Sequence, residues 1–281
     1  MTDQRVPRRQ FLKAGLAAGV VGLAGCSDSG TSGGQTPTNS VFEETSTSGS
    51  DLLVRLKQGH DANKINLIDP TGKIFTSAGI EAGVSTVEFK LFDLDRGWHY
   101  EPGEHSLVAI KNGEEIASWN LDLTPDLNII DVQQYRGGRP TPSNRANLLV
   151  TVENTGTAPT WVYYVGYENS LDRDANHIPT NNYARTSPML NLEKPEQKSD
   201  VILQPGGSVD LLGNHSPFLL SREDHCNELT LKMEVVVSAG GGEDARQQLQ
   251  ATLSGNPVNA NFRATCSEIS VEPRNQKVGS E

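Results

Sequence analysis

The chain is poor in the residues that most often carry chemistry. Its 281 residues include three cysteines, three methionines, three tryptophans and six histidines, and aromatics make up 6%. It has no Gly-x-Ser-x-Gly elbow, His-Glu-x-x-His signature or phosphate-cradling glycine loop. The patterns that place a nucleophile beside its base, two imidazoles on one helix face, or amides around a phosphate are therefore missing. His60, His99, His105, His177, His215 and His225 are scattered among expected turns and strand ends. No two of them stand at the spacing for two ligands on one element, so they read as surface-loop histidines, and the chain reads as non-enzymatic and without a cofactor. No stretch approaches eighteen consecutive apolar residues, the minimum for a membrane-spanning helix.

Basic charge is also scarce. The formal net charge is −11. The first 25 residues carry four basic groups and one acid, so the chain from Cys26 onward carries −14. The acid excess is spread along the sequence. Without a basic stripe to displace counterions, nucleic acid and anionic lipid headgroups are not expected partners.

What the N-terminus does contain is an address. Arg8-Arg9-Gln10-Phe11-Leu12-Lys13 precedes the small and aliphatic run Ala14–Ala24. As a helix that run would span roughly 17 Å against a hydrocarbon core of roughly 30 Å, too short to remain as a span. The paired arginines Arg8 and Arg9, with Phe11 and Leu12 behind them, resemble a twin-arginine export signal, whose route carries folded proteins across the membrane. Leu23-Ala24-Gly25-Cys26 resembles a lipobox. That resemblance implies cleavage before Cys26 and a thioether-linked lipid on it, giving a signal peptide over residues 1–25 and an anchor at the extracytoplasmic face of the membrane. An acidic surface with such a signal resembles the secreted proteins of salt-loving archaea. Residues 27–50 hold seven Ser, five Thr and four Gly, too little apolar surface to offset backbone ordering. Residues 26–50 are expected to be a disordered stalk.

With Cys26 lipidated, Cys226 and Cys266 remain, an even pair in a compartment where disulfides persist. They are expected to bond and to staple the last strand to the segment before Leu229. A blue-copper site would need two His, a Cys and an axial Met. Although His225 precedes Cys226, no His or Met follows Cys266, and Met189 and Met233 lack the spacing.

After the stalk the pattern becomes period two. Leu52, Val54 and Leu56 alternate with Leu53, Arg55 and Lys57, and Val87, Phe89 and Leu91 alternate with Glu88 and Lys90. Such alternation marks half-buried strands. Asp69-Pro70-Thr71-Gly72 is a turn sequence, and Asn112-Gly113 suits the positive φ angles of a tight hairpin between Leu107–Lys111 and Ala117–Leu123. Residues 51–124 therefore make one antiparallel module. A second, 125–271, has inward faces at Leu229, Leu231, Met233 and Val235, at Leu249, Ala251 and Leu253, and at Phe262, Ala264 and Cys266. A disordered tail, 272–281, follows.

Three segments of the second module resemble a known family. Pro125-Asp126-Leu127, Val152-Glu153-Asn154-Thr155-Gly156 and Leu203-Gln204-Pro205-Gly206 are similar to the Pro-Asp-Leu strand, Val-x-Asn-x-Gly turn and Leu-x-Pro-Gly turn of the cell-adhesion-related, immunoglobulin-like bacterial domain family. The resemblance implies a sandwich module without a shared activity. The fold class expected for the whole is all-β: two tandem immunoglobulin-like antiparallel β-sandwiches after a signal peptide and disordered stalk.

Residues 168–200 interrupt the second module as a long polar loop, and loops of this length are often functional. Within it Asp172, Asp174 and Asn176 have the alternate-residue spacing of calcium ligands, but His177 and Tyr183 stand where the Gly and bidentate Glu belong. Asp93-Leu94-Asp95-Arg96-Gly97 is a shorter acidic turn of the same kind. Both read more simply as solvated loops, so no metal site is assigned. Trp161, Tyr163, Val165 and Tyr167 alternate with Val162 and Tyr164. One face must be core, and the other is either filling or a platform for a protein or glycan partner. Asn214-His215-Ser216 is a formal glycosylation sequon followed by Pro217.

These observations describe a non-catalytic surface lipoprotein acting in binding or adhesion, or as an envelope spacer. The alternative is an accessory subunit of a membrane transport or secretion complex that presents residues 168–200, with an enzyme or metal-binding protein third.

Overall fold

The computed structural model describes residues 40–172, 175, 192–220, 226–260 and 263–274. The chain divides between Thr36 and Pro37, and every described residue belongs to the second unit. Arg8, Arg9, Phe11, Leu12, Cys26, the stalk through residue 39 and the tail from residue 275 lie outside the described residues.

The first module consists of β1 (Phe42–Ser48), β2 (Asp51–Leu56), β3 (Lys64–Ile68), β4 (Ile74–Gly79), β5 (Thr86–Lys90), β6 (Phe92–Asp93), β7 (Trp98–His99), β8 (Gly103–Lys111) and β9 (Glu114–Leu123). One sheet has the order β1-β2-β5 and the other β4-β3-β8-β9, with β6 and β7 a short separate ribbon. All these pairings are antiparallel. Alternation sets the core: Leu52 and Val54 lie opposite Phe89 and Val87, and all four are buried together with Ile65, Leu67, Leu107 and Ala109 of the facing sheet. Fully burying a Leu, Val or Phe side chain stabilises by about 1.5–3 kcal/mol. At the tip of the β8–β9 hairpin, Asn112 and Gly113 take φ of 52° and 91°, the left-handed backbone that this dipeptide accepts at little cost.

The expected stalk does not extend to residue 50, because ordered strand begins at Phe42. Phe42–Ser48 pairs with β2 along its length, and Val41 and Phe42 are buried, with Phe42 against Trp119. Burial of two apolar residues and a ladder of backbone hydrogen bonds order a strand that is otherwise Glu, Thr and Ser, residues whose polarity hides it from a period-two reading.

The second module runs β10 (Leu127–Gln134), α1 (Pro142–Arg145), β11 (Leu148–Asn154), β12 (Thr160–Glu168), β13 (Leu192–Lys194), β14 (Ile202–Leu203), β15 (Ser208–Gly213), β16 (Leu229–Ala239), β17 (Ala245–Ala260) and β18 (Arg263–Pro273). Its sheets are β10-β11-β15-β13 and β14-β12-β16-β17-β18. The chain is thus all-β, an antiparallel immunoglobulin-like sandwich twice over, with β18 closing the larger sheet. Pairing of β17 with β16 ends at Leu253, whereas pairing with β18 continues to Ala260 past a bulge between Ser254 and Pro257. Proline has no N–H to give a ladder, so a bulge is where a strand tolerates it. The protruding hairpin is held by a Leu220–Ala264 bridge, by Thr265 Oγ1 donating to Phe218 O at 3.0 Å, and by the Cys226–Cys266 disulfide, Cα–Cα 5.4 Å. The expected tail is also trimmed, since β18 continues to Pro273.

Two further expectations change. Residues 192–194 form β13 and 198–201 a 3-10 turn, so the interruption of the second module does not run unbroken to residue 200, and residues 176–191 lie outside the described residues. Leu229 and Leu231 are only half-buried, with full burial on β16 beginning at Met233.

Candidate functional site

Three segments that are distant in sequence meet on one buried side chain. Asn154 ends β11, and its Oδ1 accepts from the amides of Asp126 and Gly156, both at 3.1 Å. Its Nδ2 donates to Ala158 O at 2.8 Å and Leu203 O at 3.1 Å. Its own backbone is closed by Gly207 O and Gly206 N–H. A buried amide with every polar atom engaged fixes its surroundings, because leaving any of them unpaired costs more than the bond gains. Gly156 is required by close approach: a Cβ there would overlap Thr124 O and Asp126 N. The Pro-Asp-Leu, Val-x-Asn-x-Gly and Leu-x-Pro-Gly segments are thus one assembly, and it stands beside Thr124–Asp126, where the first module passes into the second.

Next to it lies the contact between the modules. Trp161, on β12, is almost fully buried. Its indole packs against Phe92 at 4.9 Å between centroids and against the edge of His99 at 5.9 Å. Gly240 also lies against it, so closely that a Cβ there would overlap the ring. Tyr100 Oη donates to Pro159 O at 2.9 Å, and Gln204 Nε2 donates to Gly49 O at 2.8 Å. Burial drives the Tyr100 hydroxyl well above the ordinary phenol range, with the Asp122 carboxylate adding to the effect.

This contact also answers the question of the β12 aromatics. Trp161, Tyr163, Tyr164 and Tyr167 are all buried, as are Val162 and Val165, so both faces of β12 are covered and neither is a platform. Tyr167 lies wholly inside, and burial raises its hydroxyl strongly. The half-exposed aromatic pair is elsewhere. In the β6–β7 ribbon Phe92 opposes His99 and Asp93 opposes Trp98. Opposed residues share a face, so the Phe92 and His99 side turns toward Trp161 while Trp98 and Asp93 occupy the other side. There Trp98 meets Phe75 at 5.8 Å between centroids, and the neighbouring Ile74 is 57% exposed.

The Asp93 carboxylate is occupied within its own turn. Oδ1 accepts from the amides of Asp95 and Arg96, and Oδ2 pairs with Lys90 Nζ at 3.0 Å. The Lys90 bond foremost, with the two amides, holds this carboxyl below the usual carboxylate range.

A groove of about 530 Å³ opens at the junction, lined by Pro102, Thr124, Pro125, Asp126, Leu127, Gly242, Glu243 and Asp244. Two of its three carboxylates are engaged locally: Asp126 Oδ2 accepts from Thr155 Oγ1 at 2.8 Å, and Asp244 accepts from Ser238 Oγ and Ala239 N.

The remaining sequence candidates are dispersed. Cys226 and Cys266 are bonded. Asp172 lies at the end of the β12 connection, while Asp174, Asn176, His177 and His225 are outside the described residues. Among the described residues no three His, Cys, Asp or Glu side chains gather to hold a metal. Of the histidines, His105 is not on the surface: it is fully buried on β8, its Nδ1–H donating to Gly103 O at 2.9 Å and its ring edge against Tyr100. His99 donates from Nδ1 to Tyr100 O at 2.7 Å. In the sequon, Ser216 Oγ is buried and donates to Ser143 O. No described helix is long and apolar enough to cross a membrane. A disulfide belongs to the chemistry of an oxidising, extracytoplasmic compartment.

No protein-family model matches the sequence, and no curated protein matches it. Among solved structures, a β-glucuronidase from glycoside hydrolase family 2 is similar at 10% identity, over 78% of this chain and 20% of that one, with a TM-score of 0.22. A glycosyl hydrolase family 2 member from Bacteroides cellulosilyticus DSM 14838 matches at 12% identity over 71% and 24%, TM-score 0.20. The human OSCAR ligand-binding domain matches at 10% identity over 71% and 89%, TM-score 0.20. The chain spans about a quarter or less of the hydrolase chains it matches.

Proposed function

We propose that this chain is an exported, lipid-anchored, non-catalytic binding protein in which two sandwiches fixed to each other present a contact surface outside the membrane. The observation that carries the reading is the contact of Trp161 with Phe92, His99 and Gly240, joined by the Tyr100–Pro159 hydrogen bond. Tandem modules on a free linker lose orientational freedom when a partner binds, and that loss weakens association. Modules joined through a buried indole carry little of that cost. The export and lipid motifs at Arg8-Arg9 and Cys26 supply the location, and the disulfide agrees with it.

The test is lysine-directed crosslinking of intact cells, followed by purification of the tagged full-length protein and mass spectrometry. The reading expects a reproducible partner linked through the sandwich modules. Links only within the chain, at saturating crosslinker, would reduce the role to a spacer.

A further inference from the structure

We propose that the end of the second module opposite the junction is a docking surface for a carboxylate-rich polypeptide. The proposal rests on the binding-protein reading and names the chemistry of the partner.

Between Asp131 and Glu153 the sequence contains no acidic residue and three arginines, Arg136, Arg139 and Arg145. The fold adds a fourth cation, because Lys194 of β13 places its ammonium 5.5 Å from the centroid of the Tyr135 ring. Arg136, Arg139 and Lys194 are exposed and Arg145 is half-exposed. Arg55, Lys90, Arg96, Lys111 and Arg246 pair with carboxylates, while single lysines such as Lys64 and Lys73 show no such pair; the set at this end differs in being four cations brought together by an acid-free segment. Among the described residues, none of these four pairs with a carboxylate. Glu193 and Glu196 flank Lys194 in sequence, and the arginines have no such neighbours. On a chain that carries −14 from Cys26 onward, an unpaired set of cations is a local reversal of sign, which steers and orients an acidic partner.

The segment that carries the arginines is tightly built. Tyr135 N–H donates to Asn147 O at 2.9 Å, and Gln134 Nε2 donates to Arg145 O at 2.8 Å. Asn144 Nδ2 holds Arg139 O at 2.8 Å. Gly137 lies so close to the Tyr135 ring that a Cβ would meet Oη at 2.5 Å, and Gly138 adopts a φ of 69°. Thr141 caps α1 through Asn144 N. Beneath, Asn147 Nδ2 donates to Gly213 O and Phe218 N to Ala146 O. Guanidinium groups on a backbone ordered in advance lose less freedom on binding, and their planar fork matches a carboxylate in a two-bond geometry.

Position supports the assignment. The eight residues of β10 carry the chain about 26 Å from the junction at Leu127 to Gln134. Gly49, which meets Gln204 at the junction, is the turn after β1, so Phe42, where the chain enters, lies at the far end of the first module. A surface reached across both modules from the entry point is where an anchored protein meets something else. A polypeptide is favoured over nucleic acid because the four cations sit on a loop, a helical turn and a strand rather than along a stripe that could follow a phosphate backbone.

The test uses the full chain with Cys26→Ser and a short poly-L-glutamate, titrated calorimetrically at low and raised salt. The expected result is saturable binding that weakens with salt, and a loss of at least tenfold in Arg136→Gln/Arg139→Gln/Lys194→Gln. The control Lys57→Gln/Lys64→Gln/Lys73→Gln, equal in charge, should lose less than twofold, and melting temperatures should confirm that both variants fold. Equal loss in both variants, or no binding to poly-L-glutamate at low salt, overturns the proposal. So does arginine-dependent binding of heparin alone, which would point to a sulfated glycan. None of these failures touches the anchoring, which is tested separately through Cys26.

Discussion

The indole of Trp161 lies against the backbone of Gly240 so closely that any side chain at 240 would overlap the ring. That seat places Trp161 against Phe92 and His99 of the first module, so one glycine on the β16–β17 turn governs the contact between two sandwiches. Gly240→Ala should destabilise by about 3 kcal/mol or more, because the ring has no space to retreat into a packed surround. Urea denaturation should show the loss, and the tryptophan emission should shift to the red under native conditions. An unchanged midpoint and spectrum would mean that the ring is not seated there.

Asn154→Ala should cost about 3 kcal/mol, since it removes four side-chain bonds and leaves the Ala158 and Leu203 carbonyls without that donor. Asn154→Asp should not restore stability at neutral pH, because a carboxylate would then face those carbonyl oxygens. Thermal melts of both variants check this. Recovery by Asp would show that only the two amide-accepting bonds matter.

Burial raises the hydroxyls of Tyr100 and Tyr167 strongly and that of Tyr163 to a lesser degree. For a phenol the raised folded value favours the neutral form. The stability from these groups is therefore present below the unfolded tyrosine value of about 10 and is lost as pH rises beyond it. Alkaline absorbance titration should show part of the six tyrosines ionising only together with unfolding, followed by circular dichroism. All six titrating in one step on the folded protein would contradict the packing of β12 and of Tyr100.

Reducing the Cys226–Cys266 bond, which closes a span of 40 residues, should lower stability by up to roughly 4 kcal/mol on the chain-entropy account. The oxidised protein with Cys26→Ser should show no titratable thiol until it is reduced. Two free thiols before reduction would contradict the bond.

Much of this architecture could be read in residue order. The alternation of Val87 and Phe89 with Glu88 and Lys90 appears unchanged as the buried and exposed sides of β5, and Asn112-Gly113 marks the β8–β9 hairpin. The Asn154 assembly was partly legible, as three short segments whose convergence no single stretch reveals. What escaped has a physical reason in each case. Strand β1 lacks alternation because only Val41 and Phe42 supply its burial. The burial of Trp161 at the start of β12 involves Phe92 and His99, which come from another module. His105 reads as a strand-end histidine, and its burial follows from the position of Tyr100. The basic end of the second module was hidden because its lysine and its arginines lie about fifty residues apart in sequence.

The central claim, a binding protein held outside the membrane by a lipid on Cys26, is tested most directly by fractionating cells that express the full-length chain with and without Cys26→Ala. The account predicts wild-type protein in the membrane fraction and the variant released to the medium, both with the Cys226–Cys266 bond formed. A variant retained in the membrane to the same extent, or a wild-type chain recovered from the cytoplasm with free thiols, would contradict it.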